Sequence, residues 1–198
     1  MYSNYGIKPL KDHHIWDQIS RAFQSAEPAT PSSQPPAENN KAHQNPQLDA
    51  KNGFQEFIFG TAASQYTDVA RSMFDKSTDD DQTYAVTDPK RNVGGIEIHS
   101  IHLDFKQGLL QSIWVQVNGR ENVAGFIVAL TQAYGQPVRS GAFSKTLKWE
   151  GDRVRLSVGV VNDDWAAATF ESNEIEAKIK ADVEQKAKAG AAVAAKQL

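Results

Sequence analysis

The stretch IEIHSIHLDFKQGLLQSIWVQVN, residues 96–118, decides the fold. In its second half Ile113, Val115 and Val117 alternate with polar or aromatic residues, which is the period of a strand with one buried face. A short turn at residues 106–108 joins this strand to the one before it. The stretch therefore predicts an antiparallel hairpin with one apolar side and one side facing water.

The first strand of this hairpin changes phase near its middle. Isoleucines 96 and 98 share one parity, whereas the apolar residues from Ile101 to Phe105 share the other. A bulge or bend near His99 and Ser100 would keep both sets in the core. The same bend predicts four polar residues on the outer face: Glu97, His99, His102 and Asp104.

Two of these residues, His99 and His102, raise the question of a metal site. A zinc ion needs three or four ligands at about 2 Å. If Phe105 pairs with Leu109, the residues opposite the outer face are Leu110, Ser112 and Trp114, and none of them is a metal ligand. We favour a solvated sheet face with a histidine packed near Trp114. Metal binding by the two histidines is the lesser alternative, and we expect no cofactor.

The rest of the folded part predicts an α+β domain, with an antiparallel sheet of hairpins and a meander and with helices packed on one face. An amphipathic helix over residues 123–134 ends at Gly135 and Pro137. Thr61 is in position to cap another helix, whose apolar stripe would run from Tyr66 to Met73. Strands are expected at residues 84–86, 146–149, 154–160 and 165–170.

Composition divides the chain into four segments. Residues 1–24 hold a short amphipathic helix, and residues 25–52 are rich in Pro, Ser, Asn and Gln, which is typical of a disordered linker. Together they predict a flexible N-terminal arm. Residues 53–172 form the α+β domain, and residues 173–198 form a charged helix rich in lysine and alanine.

The N-terminal helix carries the candidate partner-binding residues. Ile15, Trp16, Ile19 and Phe23 fall at helical spacing on one side. A tryptophan-bearing stripe at this spacing suits insertion of a helix into an apolar groove. We expect it to dock on a protein partner or on another copy of the chain. Docking on its own domain, or a marginal helix with no partner, are the alternatives.

Charge and composition argue against several classes of function. The chain has 198 residues, a formal net charge of -3 and no cysteine, so thiolate chemistry is excluded and nucleic acid is not an expected partner. No stretch has the length of apolar sequence expected of a membrane helix or a secretory signal, which predicts a cytoplasmic location. No Ser, His and Asp set has the context of a nucleophilic site, so we predict no enzymatic activity.

Four pieces of the folded part resemble a known pattern: GFQEFIFGT at 53–61, VGGIEIHSIHLDF at 93–105, QAYGQP at 132–137 and WEGDRVRL at 149–156. They are similar to a group of small bacterial α+β domains of unassigned function that are usually exported. That resemblance implies an exported, periplasmic location instead. The order of elements also resembles type III secretion chaperones, which implies a cytosolic binding protein.

Together these features favour a non-enzymatic protein-binding or structural accessory module. A small-ligand or lipid-binding domain and a secretion-chaperone-like cytosolic protein are the alternatives. An internal cavity would distinguish the first, and an exposed apolar groove on a dimer would distinguish the second.

Overall fold

A computed structural model describes residues 45–72, 81–88, 92–139 and 145–195, with only the backbone of residue 193. Its helices, numbered in chain order, are α1 (Pro46–Lys51), α2 (Arg120–Tyr134) and α3 (Asn173–Ala195), and a 3₁₀ turn spans Ala63–Gln65. Its strands are β1 (Gly53–Phe54), β2 (Phe57–Ile58), β3 (Val69–Arg71), β4 (Asp81–Val86), β5 (Asn92–Val93), β6 (Ile96–Glu97), β7 (Ser100–Lys106), β8 (Leu109–Asn118), β9 (Val138–Arg139), β10 (Thr146–Glu150), β11 (Val154–Asn162) and β12 (Trp165–Ser172).

Eight of the strands form one antiparallel sheet in the order β3-β4-β7-β8-β12-β11-β10-β9. The central strands alternate strictly between buried and less buried residues, as the period of their sequences predicts. Strands β1 and β2 pair separately, as do β5 and β6. The prediction of an α+β fold with a large antiparallel sheet is confirmed.

One face of the eight-stranded sheet, here called the covered face, holds the core. Helix α2 packs on β8 and β12 through Val123, Phe126, Ile127 and Leu130, which are all buried. Nearby, the ring of Phe54 in β1 lies 5.1 Å from the ring of Phe170 in β12. Helix α1 adds Leu48, which is 0% exposed. The covering elements thus bury about one residue in two along each central strand.

The predicted change of phase near His99 is confirmed. Strand β6 ends at Glu97 and β7 begins at Ser100. Both Ile98, just after β6, and Ile101 in β7 are buried. The break is the backbone change that lets isoleucines of opposite parity reach the same core.

The predicted register of the hairpin is wrong by one residue at Phe105, which pairs with Leu110, and by two residues from Asp104 onward. The turn consists of Gln107 and Gly108, both with positive φ, so Lys106 pairs with Leu109. The ladder then shifts between Phe105 and Asp104, which leaves Gln111 as an extra residue in β8. As a result Ser112, Trp114 and Gln116 lie opposite Asp104, His102 and Ser100.

The helix predicted after Thr61 is also wrong. The chain makes only the 3₁₀ turn and then enters β3, where Val69 pairs with Val86 of β4. Tyr66 packs its ring 5.3 Å from that of Phe57 instead of joining a helical stripe. The backbone hydrogen bonds of a strand added to a large sheet outweigh a weak local preference for helix. Met73 lies outside the described residues.

The predicted linker over residues 25–52 is wrong at its end. Asn45 caps α1, since its side chain accepts a hydrogen bond from the backbone N–H of Leu48, and Pro46 occupies the first helical position. The folded part therefore begins at or before Asn45 and not at Gly53. Residues 25–44 of the predicted linker lie outside the described residues.

A single carboxylate fixes α1 to the tip of the β10–β11 hairpin. The Asp49 carboxylate accepts hydrogen bonds from the backbone N–H groups of Asp152, Arg153 and Val154 at 2.8 to 2.9 Å. A side chain at Gly151 would overlap the same carboxylate, so the position needs glycine. We call this arrangement the Asp49 clamp.

Helix α3 starts where β12 ends. The Ser172 hydroxyl accepts a hydrogen bond from the N–H of Ile175, which caps the helix, and Ile175 is 9% exposed. Glu174 and Glu176 in the first turn form ion pairs with Arg153 and Arg155 of the hairpin. From residue 184 to residue 190 every side chain is exposed, so the helix is attached to the sheet through its first turns.

Candidate functional site

Helices α1 and α2 pack on the covered face, and the second face of the sheet is here called the open face; α3 reaches it where Glu176 pairs with Arg155. The side chains of the open face come from the same strands as the core but from the alternate positions. The central part of the open face consists of Ser100, His102, Asp104, Ser112, Trp114, Gln116, Asn118, Trp165, Ala167, Thr169, Glu171, Arg155, Ser157 and Gly159. A face this rich in chemically distinct side chains is the candidate functional site.

Three rings form a cluster on the open face. His102 meets Trp114 edge-on with ring centroids 5.2 Å apart, as predicted for a histidine packed near this tryptophan. The ring of Trp165 lies 6.4 Å from that of Trp114 across β8 and β12. All three side chains keep part of their surface in water. They are here called the aromatic cluster.

Beside the aromatic cluster the open face carries small side chains. Ala167 of β12 pairs with Gly159 of β11, and Thr169 pairs with Ser157. In the part of the chain that the structure describes, no atom beyond the adjacent residues lies within 4 Å of the position that a Cβ would take at Gly159. The small residues therefore leave space next to the tryptophans into which another molecule can fit.

A polar groove of about 300 Å³ lies on the same face, at the level of the β8 bulge. Asp104, Ser112 and Glu171 are direct cross-strand neighbours and form its floor. The groove is also lined by Thr83, Lys106 and the extra residue Gln111. Bulges often redirect side chains next to functional sites. We call it the Ser112 groove.

Two groups in this groove have hydrogen-bonding capacity that the described residues leave unused. The Ser112 side chain is 6% exposed, yet no described residue forms a hydrogen bond with its hydroxyl. Asp104 accepts one hydrogen bond from Thr83 at 2.8 Å through Oδ1, and no lysine or arginine among the described residues pairs with it. A buried hydroxyl without a hydrogen-bond partner, or a carboxylate with unused acceptor capacity, lowers the stability of the fold unless a ligand or water bonds to it.

The other charges around the groove are paired. Lys106 lies 3.0 Å from Asp81, and Arg155 binds Glu171 through two hydrogen bonds and Glu176 through one. The bonds to Glu171 raise the pKa of Arg155 above its ordinary range, against the effect of burial. Burial lowers the pKa of His102 below 6.5, and the nearby Asp104 carboxylate opposes that change. His102 is therefore neutral at pH 7, and within the described ranges Asp104 has no charged partner.

The two histidines considered for a metal site have different neighbours. His99 is exposed and lines a small cleft of about 100 Å³ with Glu97 and Asn118, whereas His102 belongs to the aromatic cluster. Among the described residues no three His, Asp or Glu side chains are grouped closely enough to hold a metal ion. The remaining candidates, Ile15, Trp16, Ile19 and Phe23, lie outside the described residues.

Sequence reasoning missed both the Ser112 groove and the role of Trp165. The period of β12 already put Trp165 on the water-facing side, but its closeness to Trp114 depends on which strands are neighbours. The groove depends on the bulge at Gln111, and no residue pattern marks that position.

Comparison with known proteins places the chain in no group. No family model, no curated protein and no solved structure matches it. Within the described residues, no helix combines the length and apolar character needed to cross a membrane. The resemblance to exported bacterial domains stays a prediction from the sequence.

Proposed function

We propose that this protein is a non-enzymatic binding module that docks a protein partner on the open face of its sheet. The observation that carries the proposal is the aromatic cluster, which keeps two tryptophans in contact with water on the face opposite α1 and α2. Tryptophan is the residue most enriched at the energetic centres of protein interfaces. Its retention on a sheet face that needs no apolar residue for folding supports a role in recognition.

The size of the open face supports a partner as large as a protein. Six strands from β4 to β10 at a spacing of about 4.8 Å, with roughly 25 Å of length, give on the order of 600 Å². A standard interface takes about 800 Å² from each partner. The open face would supply most of that area, with the aromatic cluster near its middle and charged residues around it.

The charges around the Ser112 groove favour a basic segment of the partner. The two cations beside the groove, Lys106 and Arg155, are already bound to acidic groups of the same chain, whereas no described cation pairs with Asp104. A partner that brings a cation to Asp104 would gain an interaction that an acidic partner would lose. We therefore propose a partner that presents a basic side chain next to an apolar contact for the tryptophans.

The test is affinity capture from the native host with the full chain and with two variants, Trp114→Ala and Trp165→Ala. We expect a protein captured by the wild type to be lost with both variants, and its purified form to bind with at least about tenfold lower affinity. The matched control is Trp149→Phe, which changes a tryptophan on the covered face of the same sheet. Unchanged binding by both open-face variants would refute the proposal.

Self-association is the competing occupant, and a mass measurement separates it from a different partner. Analytical ultracentrifugation of the full chain should show a monomer, or an oligomer that Trp114→Ala leaves intact. A dimer that becomes a monomer in both tryptophan variants would assign the open face to a second copy and overturn the proposal as stated.

A second binding function is proposed for the N-terminal segment, on the amphipathic stripe of its sequence. Ile15, Trp16, Ile19 and Phe23 would dock in a groove of a partner or of another copy. Capture with Trp16→Ala and Phe23→Ala tests this claim separately. Loss of one captured protein with these variants and of another with the open-face variants would show two independent binding sites, whereas no loss would dismiss the N-terminal one.

A further inference from the structure

We propose that the Ser112 groove is a subsite for a primary ammonium group, namely the side chain of a lysine on the partner. This inference rests on the proposed function, because the groove and the aromatic cluster share the open face. It adds the chemical identity of the group that the face recognises. The argument starts from the two groups that the described residues leave unsatisfied.

The first step is the pairing of a hydroxyl with a carboxylate. Ser112 and Asp104 lie directly opposite each other on β8 and β7, so their side chains start about 5 Å apart. A ligand group placed between them can reach both the Ser112 hydroxyl oxygen and the second carboxylate oxygen of Asp104. To form a hydrogen bond to each oxygen, the group must carry at least two N–H or O–H donors on one atom or on close neighbours.

The second step is charge. Three carboxylates line the groove, those of Asp81, Asp104 and Glu171. Two of them are neutralised, by Lys106 and Arg155, which leaves one negative charge at Asp104. A cation is attracted by that charge, whereas an anion is repelled by it. The floor of the groove thus favours a positively charged donor.

The third step separates ammonium from the other cations. A guanidinium group prefers both oxygens of one carboxylate, so at Asp104 it would compete with the hydrogen bond from Thr83 to Oδ1, and at Glu171 with the two bonds from Arg155. A metal ion needs several ligand side chains together, and within the described ranges no suitable group of three exists. An ammonium group requires only separate acceptors around one nitrogen.

The last step is the stem of the side chain. Trp114 lies two residues beyond Ser112 on the same face of β8, at roughly 6 to 7 Å. The four-carbon stem of lysine covers a similar length and packs well on an aromatic surface while its charged end stays in a polar site. His102 adds a second ring beside the same path. Lysine is therefore the side chain that fits both the groove and the tryptophan.

The experiment is an NMR titration of the ¹⁵N-labelled full chain with the peptide Ac-Gly-Lys-Gly-NH₂. We expect saturable shifts at the amides of Asp104 and Ser112 and at the indole N–H of Trp114. A peptide with Nε-acetyl-lysine should bind at least about tenfold more weakly, because it has lost the charge, and the arginine peptide should also bind more weakly. Equal shifts with the acetylated peptide would overturn the proposal.

Variants of the groove residues test the same contact from the protein. Asp104→Asn and Ser112→Ala should each raise the Kd of the lysine peptide, the first by about tenfold and the second by several-fold. Glu97→Gln is the control, since it removes an exposed carboxylate elsewhere on the protein. If the lysine peptide binds both groove variants as it binds the wild type, the subsite is wrong. Ser112→Ala keeps the test valid if Asp104→Asn does not fold.

Two further comparisons assign the source of the ammonium and separate this inference from the proposed function. If n-butylamine gives the same shifts, it supports recognition of the ammonium group. Its binding without binding of the lysine peptide would overturn the assignment to a protein side chain.

Partner capture that fails for Trp114→Ala but survives Asp104→Asn would reject the subsite and keep the docking surface. Capture that survives both Trp114→Ala and Trp165→Ala would reject the docking surface, and with it the assignment of the subsite to a partner's lysine.

Discussion

The covered and open faces of the sheet are made from the same strands, yet they have different chemistry. On β12, Ala166, Ala168 and Phe170 are fully buried, while the alternate residues Trp165 and Thr169 keep contact with water. The covered face follows the requirements of packing, which leave little freedom. The open face has fewer packing requirements, and it carries the rings, the small residues and a carboxylate, Asp104, that no described cation pairs with. These side chains are the basis of the binding function proposed above.

The largest expected effect tests this contrast on neighbouring residues of one strand. Phe170→Ala should lower the free energy of unfolding by about 3 to 5 kcal/mol, because it leaves a cavity against Phe54. Thr169→Ala, one position away on the open face, should cost less than about 1 kcal/mol. Urea denaturation measures both. Equal losses would mean that the open face is as important for stability as the core.

The second prediction concerns the attachment of α1, which belongs to the covered side. Asp49→Asn should lower the free energy of unfolding by about 2 kcal/mol, because an amide replaces a carboxylate that accepts three backbone hydrogen bonds. Asp164→Asn, at an exposed aspartate of the other hairpin turn, should change it by less than about 0.5 kcal/mol. Chemical denaturation followed by circular dichroism compares the two. No difference between them would show that the Asp49 clamp adds nothing to stability.

The third prediction concerns the pH dependence of stability that His102 of the open face causes. The pKa of His102 is lowered below 6.5 in the folded state, so the unfolded chain binds the proton more readily. The contribution of His102 to stability is present above pH 6.5 and is lost as the pH falls from 6.5 towards the lowered pKa. His102→Gln should therefore lose less stability than the wild type between pH 7 and about pH 5.

His99→Gln is the control for this pH effect, because His99 is exposed. Denaturation midpoints at the two pH values give the comparison. If the wild type and His102→Gln lose the same stability on acidification, the burial of His102 in the aromatic cluster has no energetic consequence.

The smallest expected effect lies on the open face itself. Arg155→Lys keeps the charge but removes the two-fold hydrogen bond to Glu171, and because these side chains are partly exposed the loss should stay below about 1 kcal/mol. Thermal unfolding at low and high salt measures it. A loss as large as that of Phe170→Ala would contradict the view that open-face contacts add little to stability.

The sequence was sufficient for elements whose partners are near in the chain. The alternation in β8, β11 and β12 and the stripe of α2 are local patterns, and the structure has them where they were predicted. The phase change near His99 was also visible, because isoleucines of opposite parity cannot share one core without a break.

The errors arose where distant contacts decide the structure. Asn45 followed by Pro46 is a local signal for the start of a helix, but prolines also occur throughout the preceding segment, and the partners of Asp49 lie about 100 residues away. Strand β3 forms by pairing with β4, and the sequence of Val69–Arg71 carries no signal that predicts this pairing. The Ser112 groove needed the bulge and the strand order together. For this reason the candidate site was far less predictable than the fold.

The Asp49 clamp has a mechanical consequence. It acts together with the hydrogen bond from the N–H of Asn45 to the carbonyl of Glu150, so α1 and the β10–β11 hairpin tip are linked at two points. A load applied at Asn45 would therefore act on these bonds and on the packing of Leu48 before it reached the ladder of the eight strands.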